Sequence, residues 1–147
     1  MFRLVAVLLL GLLLFPATSP AAQAIDGRPA SVTGGDRLLL LTGDGRRLTL
    51  RLAGIEEAPG DGGAARRQLQ MLVAGKPVRV EVSSRVRGGG LVGRVLLGGM
   101  DVGLRLLTAG LVRHRPGELD PALEAGYRQA EAAARRRRLG IWSTSRR

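Results

Sequence analysis

Alternation of apolar and polar residues dominates the first half of the chain. In Arg47–Leu52, Leu48, Leu50 and Leu52 fall on one face while Thr49 and Arg51 fall on the other. That is the period of a half-buried strand. The stretch DRLLLLTG, from Asp36, reads as its partner, and Asp44-Gly45 between them favours a positive-φ hairpin turn. PASVTGG predicts a first strand ending at Gly34-Gly35, with Ile25–Arg28 before it as a short flexible lead-in. KPVRVEV alternates again, with Val78, Val80 and Val82 on one face, and LVGRVLL follows from Leu91. The intervening SSRVRGGG predicts a loop.

Helical spacing appears from Ala64, where Ala65, Leu69, Leu72 and Val73 share a face and Gly75 ends the run. A short helix is expected from Asp101 to Ala109, stopping at Gly110. The last helix has Asp120 as N-cap, Pro121 at its first position, an apolar stripe of Leu123, Tyr127, Ala130 and Ala134, and Gly140 as its expected C-cap. Five strands with a helix between the third and fourth, then two more helices, give an α+β, mainly β fold. The order is that of an OB-fold five-stranded barrel with three helices.

The first 24 residues change the picture of location. Arg3 precedes an apolar run from Leu4 to Phe15, then small residues ending Ala22-Gln23-Ala24. The run is too short to span a bilayer and the tail is a cleavage signal, so residues 1–24 read as a signal peptide. The expectation is an exported domain over 25–147, periplasmic or secreted, with no stable membrane insertion after cleavage. The chain has no cysteine, which excludes thiol and zinc-thiolate chemistry.

Formal charge is +11 over 147 residues, and all but Lys76 of the 23 basic residues are arginine. A planar guanidinium suits phosphate and carboxylate, so the charge points to nucleic acid or another polyanion as partner. Beyond the leader the aromatics are Tyr127 and Trp142 alone. A groove that stacks single-stranded bases needs more than that.

Four segments then resemble the thermonuclease family, the staphylococcal-nuclease-like domains. SVTGGDRLLL resembles its V-x-D-G-D-T entry to the second strand, and LRLAGIEEAPG its R-L-x-G-I-D-x-P-E. LVGRVLLGGMDVGLRLLTAGLV resembles the strand and helix that end in G-L-A, and YRQAEAAARRRRLGIW the closing Y-x-x-A-E-x-x-A-R…G-I-W helix. The resemblance spans Ser31 to Trp142. It implies the OB barrel and Ca²⁺-dependent hydrolysis of DNA and RNA phosphodiesters. That chemistry needs hard-oxygen calcium ligands, cations on the phosphate and a base for the attacking water.

Carried over position by position, the resemblance makes Asp36 and Glu56 the Ca²⁺ ligands. Gly34 and Arg37 replace the family's first aspartate and threonine. Glu56 is one methylene longer than the family's aspartate, which predicts weakened calcium binding. Arg51 is placed on the scissile phosphate; the alternative is an exposed strand arginine or an ion pair with Glu56 or Glu57.

The pattern then breaks. One residue is inserted before Pro59, and Gly60 stands where the family has its general-base glutamate. Glu57 is the nearest catalytic replacement and Asp61 the next, both out of register. The family's second phosphate arginine falls on Gly90, leaving Arg85 and Arg87 as phosphate-binding candidates by reach. Loss of a positioned base typically costs roughly 10²–10⁴ in rate, and loss of a charge-stabilising donor about 10²–10³.

Three readings follow. The first is an exported thermonuclease-like domain with degraded machinery that retains polyanion binding. The second is an active Ca²⁺-dependent endonuclease in which Glu57 or Asp61, with Arg85 or Arg87, compensates. The third is a non-catalytic protein-interaction module of the cell envelope. His114, the lone histidine, reads as a surface residue, and Arg135–Arg138 as a solvated helix end.

Overall fold

The structure, a computed structural model, describes residues 23–60 and 62–143. Most of the expected signal peptide, residues 1–22, and the candidate Asp61 lie outside them, as do residues 144–147. The elements run β1 (Ala24–Val32), β2 (Arg37–Thr42), β3 (Arg47–Leu52), β4 (Ile55–Glu57), α1 (Gly62–Val73), β5 (Val78–Val86), β6 (Gly90–Leu97), β7 (Met100–Asp101), α2 (Val102–Thr108), β8 (Val112–His114), α3 (Pro121–Arg136) and a closing 3₁₀ turn, Gly140–Trp142.

Antiparallel pairings link β3 to β2, β2 to β1, β1 to β5 and β5 to β6, and a parallel pairing of β3 with β6 closes the ring. The result is the closed five-stranded OB barrel with three helices. Leu38, Leu40, Leu50, Leu52, Val80, Leu91 and Val95 point inward from its staves, and α1 and α2 cap them with Leu69, Val73, Leu106 and Leu107. The alternation in the sequence is therefore the inside–outside alternation of the barrel wall. No helix among the described residues is long and apolar enough to cross a membrane.

Four local expectations are corrected. Ile25–Arg28 is strand and not a lead-in, because Ala24–Gly27 pairs with Val78–Glu81 and Ile25 packs against the core. Most of SSRVRGGG is strand as well: Ser84, Arg85 and Val86 pair with Val92, Leu91 and Gly90, so the turn shrinks to Arg87-Gly88-Gly89. Gly140 does not cap α3. Arg138 takes the left-handed conformation at φ 54°, and the N–H groups of Arg138 and Leu139 return to the carbonyls of Arg135 and Ala134. That is a Schellman closure built on arginine. Gly140 is small for another reason: a β-carbon there would lie 2.2 Å from the Gly110 carbonyl oxygen.

His114 is the fourth correction. Its side chain is only 9% exposed, with Nε2 2.8 Å from Glu124 Oε2 and the ring edge-on to Tyr127. The short β8 pairs with β4 and packs under α3, which buries what the sequence left outside. Neither of these short strands carries enough alternation to be seen in the sequence.

Candidate functional site

β3 delivers Arg51 to the outer face of the barrel, beside Val92 on one side and Arg37 on the other. A guanidinium there needs a partner, and it finds Glu118. Arg51 Nη1 donates to Glu118 Oε2 at 3.1 Å, and Nη2 donates to Oε1. Both side chains are less than one-fifth exposed. The Gly54 N–H also donates to Oε2 at 2.8 Å, and Arg115 Nε lies 3.3 Å from Oε1. Each carboxylate oxygen thus has two donors or cations facing it.

The loop carrying Glu118 is itself fixed. Glu124 Oε1 accepts the backbone N–H groups of Gly117, Glu118 and Leu119 at 2.8, 3.2 and 3.2 Å. The Arg115 N–H donates to the Gly54 carbonyl at 2.8 Å. Glu118 was missed by sequence reasoning because 67 residues separate it from Arg51. The available signal was one acidic residue closing a basic run, RHRPGE, after β8.

Burial works against the Glu118 carboxylate, but the hydrogen bonds from Arg51 and Gly54, with the charges of Arg51 and Arg115, outweigh it and hold its pKa below the ordinary value of 4.5. The folded state therefore holds this proton more weakly than the unfolded chain. Stability from the pair is fully present above pH 4.5 and is lost as pH falls through the lower folded value. Glu118→Gln is expected to flatten this part of the acid limb. Denaturation midpoints between pH 5 and about 2 check it, and an unchanged limb would remove the pair from the balance.

Asp36 lies at the bend between β1 and β2 and is buried. Its Oδ1 has no hydrogen-bond partner, with Arg37 Nε 3.5 Å away. Burial raises its pKa above the usual carboxylate value, and the nearby Glu57 charge adds to that against Arg37 and Arg51. A β-carbon on Gly34 would meet Glu57 Oε2 at 3.3 Å and Asp36 Oδ1 at 3.7 Å, so the two carboxylates converge on one point.

Glu56 projects to the other side of β4, opposite Arg113 across the β4–β8 pair. Hence Glu57, and not Glu56, is the carboxylate beside Asp36. Glu57 is also turned onto the start of α1, since a β-carbon on Gly62 would overlap its Oε1.

The orphaned Asp36 oxygen beside Glu57 suits a hard divalent cation of the Ca²⁺ type. Asp36 and Glu57 would hold it, with water completing the shell, and it would supply charge neutralisation for a phosphate oxygen. No group of three or more His, Asp or Glu is placed to hold a metal ion among the described residues.

Gly60 sits in an exposed turn at φ 79° with open space around its α-carbon. Gly90 opens β6 with Val86 Cβ 3.6 Å from where its own β-carbon would be. Arg85 is exposed on β5 and donates to Gln23 Oε1 at 2.8 Å, and Arg87 is exposed in the adjoining turn. Trp142 is covered by Arg135, whose Cζ is 4.2 Å from the ring centroid, and more loosely by Arg113 at 5.8 Å.

A family model described as "Staphylococcal nuclease homologue" matches residues 50–144, more than half of the chain. The match takes in the end of β3 with Arg51, and Glu57 and Glu118, and begins after Asp36. No curated protein matches the chain.

Proposed function

The chain belongs to the staphylococcal nuclease homologue family, and from that premise we propose that it is an exported domain that binds nucleic acid or another polyanion, with its phosphodiester-cleaving machinery degraded. One observation carries the reading. The position that follows Pro59 offers only Gly60 in an open turn, and the neighbouring Glu57 is turned away onto the start of α1 beside Asp36. A base must stand within about 3 Å of the water it activates; Gly60 has no side chain to supply one, and the exposed Glu57 carboxylate lies against the start of α1.

Binding is supported by a surplus of cations. Arg66, Arg67, Arg105, Arg128, Arg136 and Arg137 are exposed and form no ion pair among the described residues. Guanidinium groups left free in this way release counterions when they meet phosphates.

The test is made on the purified chain from Ile25 onward, with duplex DNA in Ca²⁺ and in chelator. No cleavage is expected in either condition, together with binding that weakens about 10³-fold or more between 50 and 200 mM salt. Chelator-sensitive cleavage that vanishes in Arg51→Ala would overturn the reading in favour of an active endonuclease. Absence of DNA binding at low salt would favour the protein-interaction module. In the same samples, millimolar Ca²⁺ is expected to raise Tm of the wild type and not of Asp36→Asn.

A further inference from the structure

The donors around Glu118 form a complete anion cradle. Two guanidinium groups, Arg51 and Arg115, and one backbone N–H, Gly54, converge on a single carboxylate. A planar fork with an added N–H is also the arrangement that recognises a phosphate. Here the occupant belongs to the chain itself.

We propose that Glu118 decides what the Arg51 site accepts: its carboxylate occupies the cradle in place of a phosphate and closes it to phosphodiesters. The proposal rests on the polyanion reading and gives it a direction. In the resting protein, contact with a polyanion is made by the exposed arginines outside the cradle. Arg51 contributes only when Glu118 is displaced.

Three features make the closure an intramolecular advantage that a free phosphate must overcome. Glu118 sits on a short loop whose backbone is tied at three consecutive N–H groups to Glu124, so little entropy is lost in presenting it. Its carboxylate accepts three hydrogen bonds, two from Arg51 and one from Gly54, and faces the Arg115 guanidinium besides. The pair is mostly shielded from solvent, so salt screens it weakly.

Open space borders the cradle: Glu118 lines a cavity of about 270 Å³ together with Glu81, Ser83, Arg94, Leu119 and Asp120. Space vacated by its carboxylate would join that cavity beside Arg51.

The experiment compares wild type, Glu118→Gln, Arg51→Ala and the double variant, each shown to be folded by circular dichroism. Glu118→Gln keeps the shape, removes the charge and turns part of its amide into a donor that the guanidinium cannot use. Inorganic phosphate, titrated by calorimetry, is expected to bind Glu118→Gln at least tenfold more tightly than wild type. Addition of Arg51→Ala should abolish the gain. With a short DNA duplex, Glu118→Gln should steepen the dependence of log K on log salt by about one to two, the release expected from one or two added phosphate contacts.

A folded Glu118→Gln with no gain for phosphate overturns the proposal. So does a gain in Glu118→Gln that survives the addition of Arg51→Ala. Failure of the wild type to bind DNA would count against the polyanion reading alone, because the phosphate titration judges the cradle separately. If Glu118→Gln does not fold, Glu118→Asp supplies the same comparison: its shorter reach should open the fork, and unchanged phosphate binding would count against the closure.

Discussion

Gly54→Ala is expected to destabilise the protein by about 2–4 kcal/mol, combining a left-handed backbone with overpacking. Gly54 follows β3 at φ 77°. A β-carbon there would lie 2.5 Å from Leu119 Cδ1 and 2.8 and 2.9 Å from Tyr127 Cε2 and Cδ2. Tyr127 cannot retreat, since it is 1% exposed and its hydroxyl is fixed. Gly54 also donates its N–H to Glu118 and accepts from the Arg115 N–H. The substitution should therefore loosen the Arg51–Glu118 pair as well as the fold. Gly126→Ala is the control: it is within α3 and its β-carbon meets open space. It should stabilise by up to about 1 kcal/mol. Denaturant midpoints measure both. A Gly54→Ala protein within 1 kcal/mol of wild type, taking ~1 kcal/mol as the least cost of the backbone alone, would refute the packing argument.

Asp101→Ala should cost a similar amount, about 2–4 kcal/mol, by removing a helix cap and orphaning a buried hydroxyl. Asp101 Oδ1 accepts from the Leu104 N–H at 3.0 Å and so starts α2. Its two oxygens lie 2.8 and 2.9 Å from the Tyr127 hydroxyl, and Arg94 Nη1 is 3.3 Å away. Burial first, and then the charge and hydrogen bond of Asp101, push the Tyr127 phenol well above its ordinary pKa, so it remains a donor. Tyr127 and Asp101 thus tie α3 to α2. In a double-mutant cycle with Tyr127→Phe, the combined loss should fall short of the sum by at least about 0.5–1 kcal/mol. Strict additivity would show that the two act independently.

The barrel was legible in the sequence because its signal is local. Leu38, Leu40, Leu50, Leu52, Val78 and Val80 alternate within single strands, and Asp44-Gly45, Asp101, Asp120 and Pro121 mark turns and helix starts by their own chemistry. What was illegible depends on distance along the chain. Glu118 meets Arg51 only after β3 and the loop beyond β8 are brought together. His114 is covered only once β8 lies under α3. Glu56 and Glu57 are adjacent, and choosing which one faces Asp36 requires the pairing of β4 with β8 that sets the pleat. The C-terminus of α3 failed for another reason: glycine is the common left-handed residue, and here an arginine two positions earlier adopts that conformation.

One consequence follows from where β1 begins. The barrel has two seams, β3 against β6 and β1 against β5, and the second is made by Ala24–Gly27. Gln23, just before it, accepts the Val82 N–H through its carbonyl. A cut after Ala24 leaves three of its four paired positions, whereas a cut three residues later removes all four and exposes the edge of β5. A chain beginning at Ile25 would therefore stay a closed ring, and one beginning at Arg28 would be an open sheet with an edge free to pair with another chain.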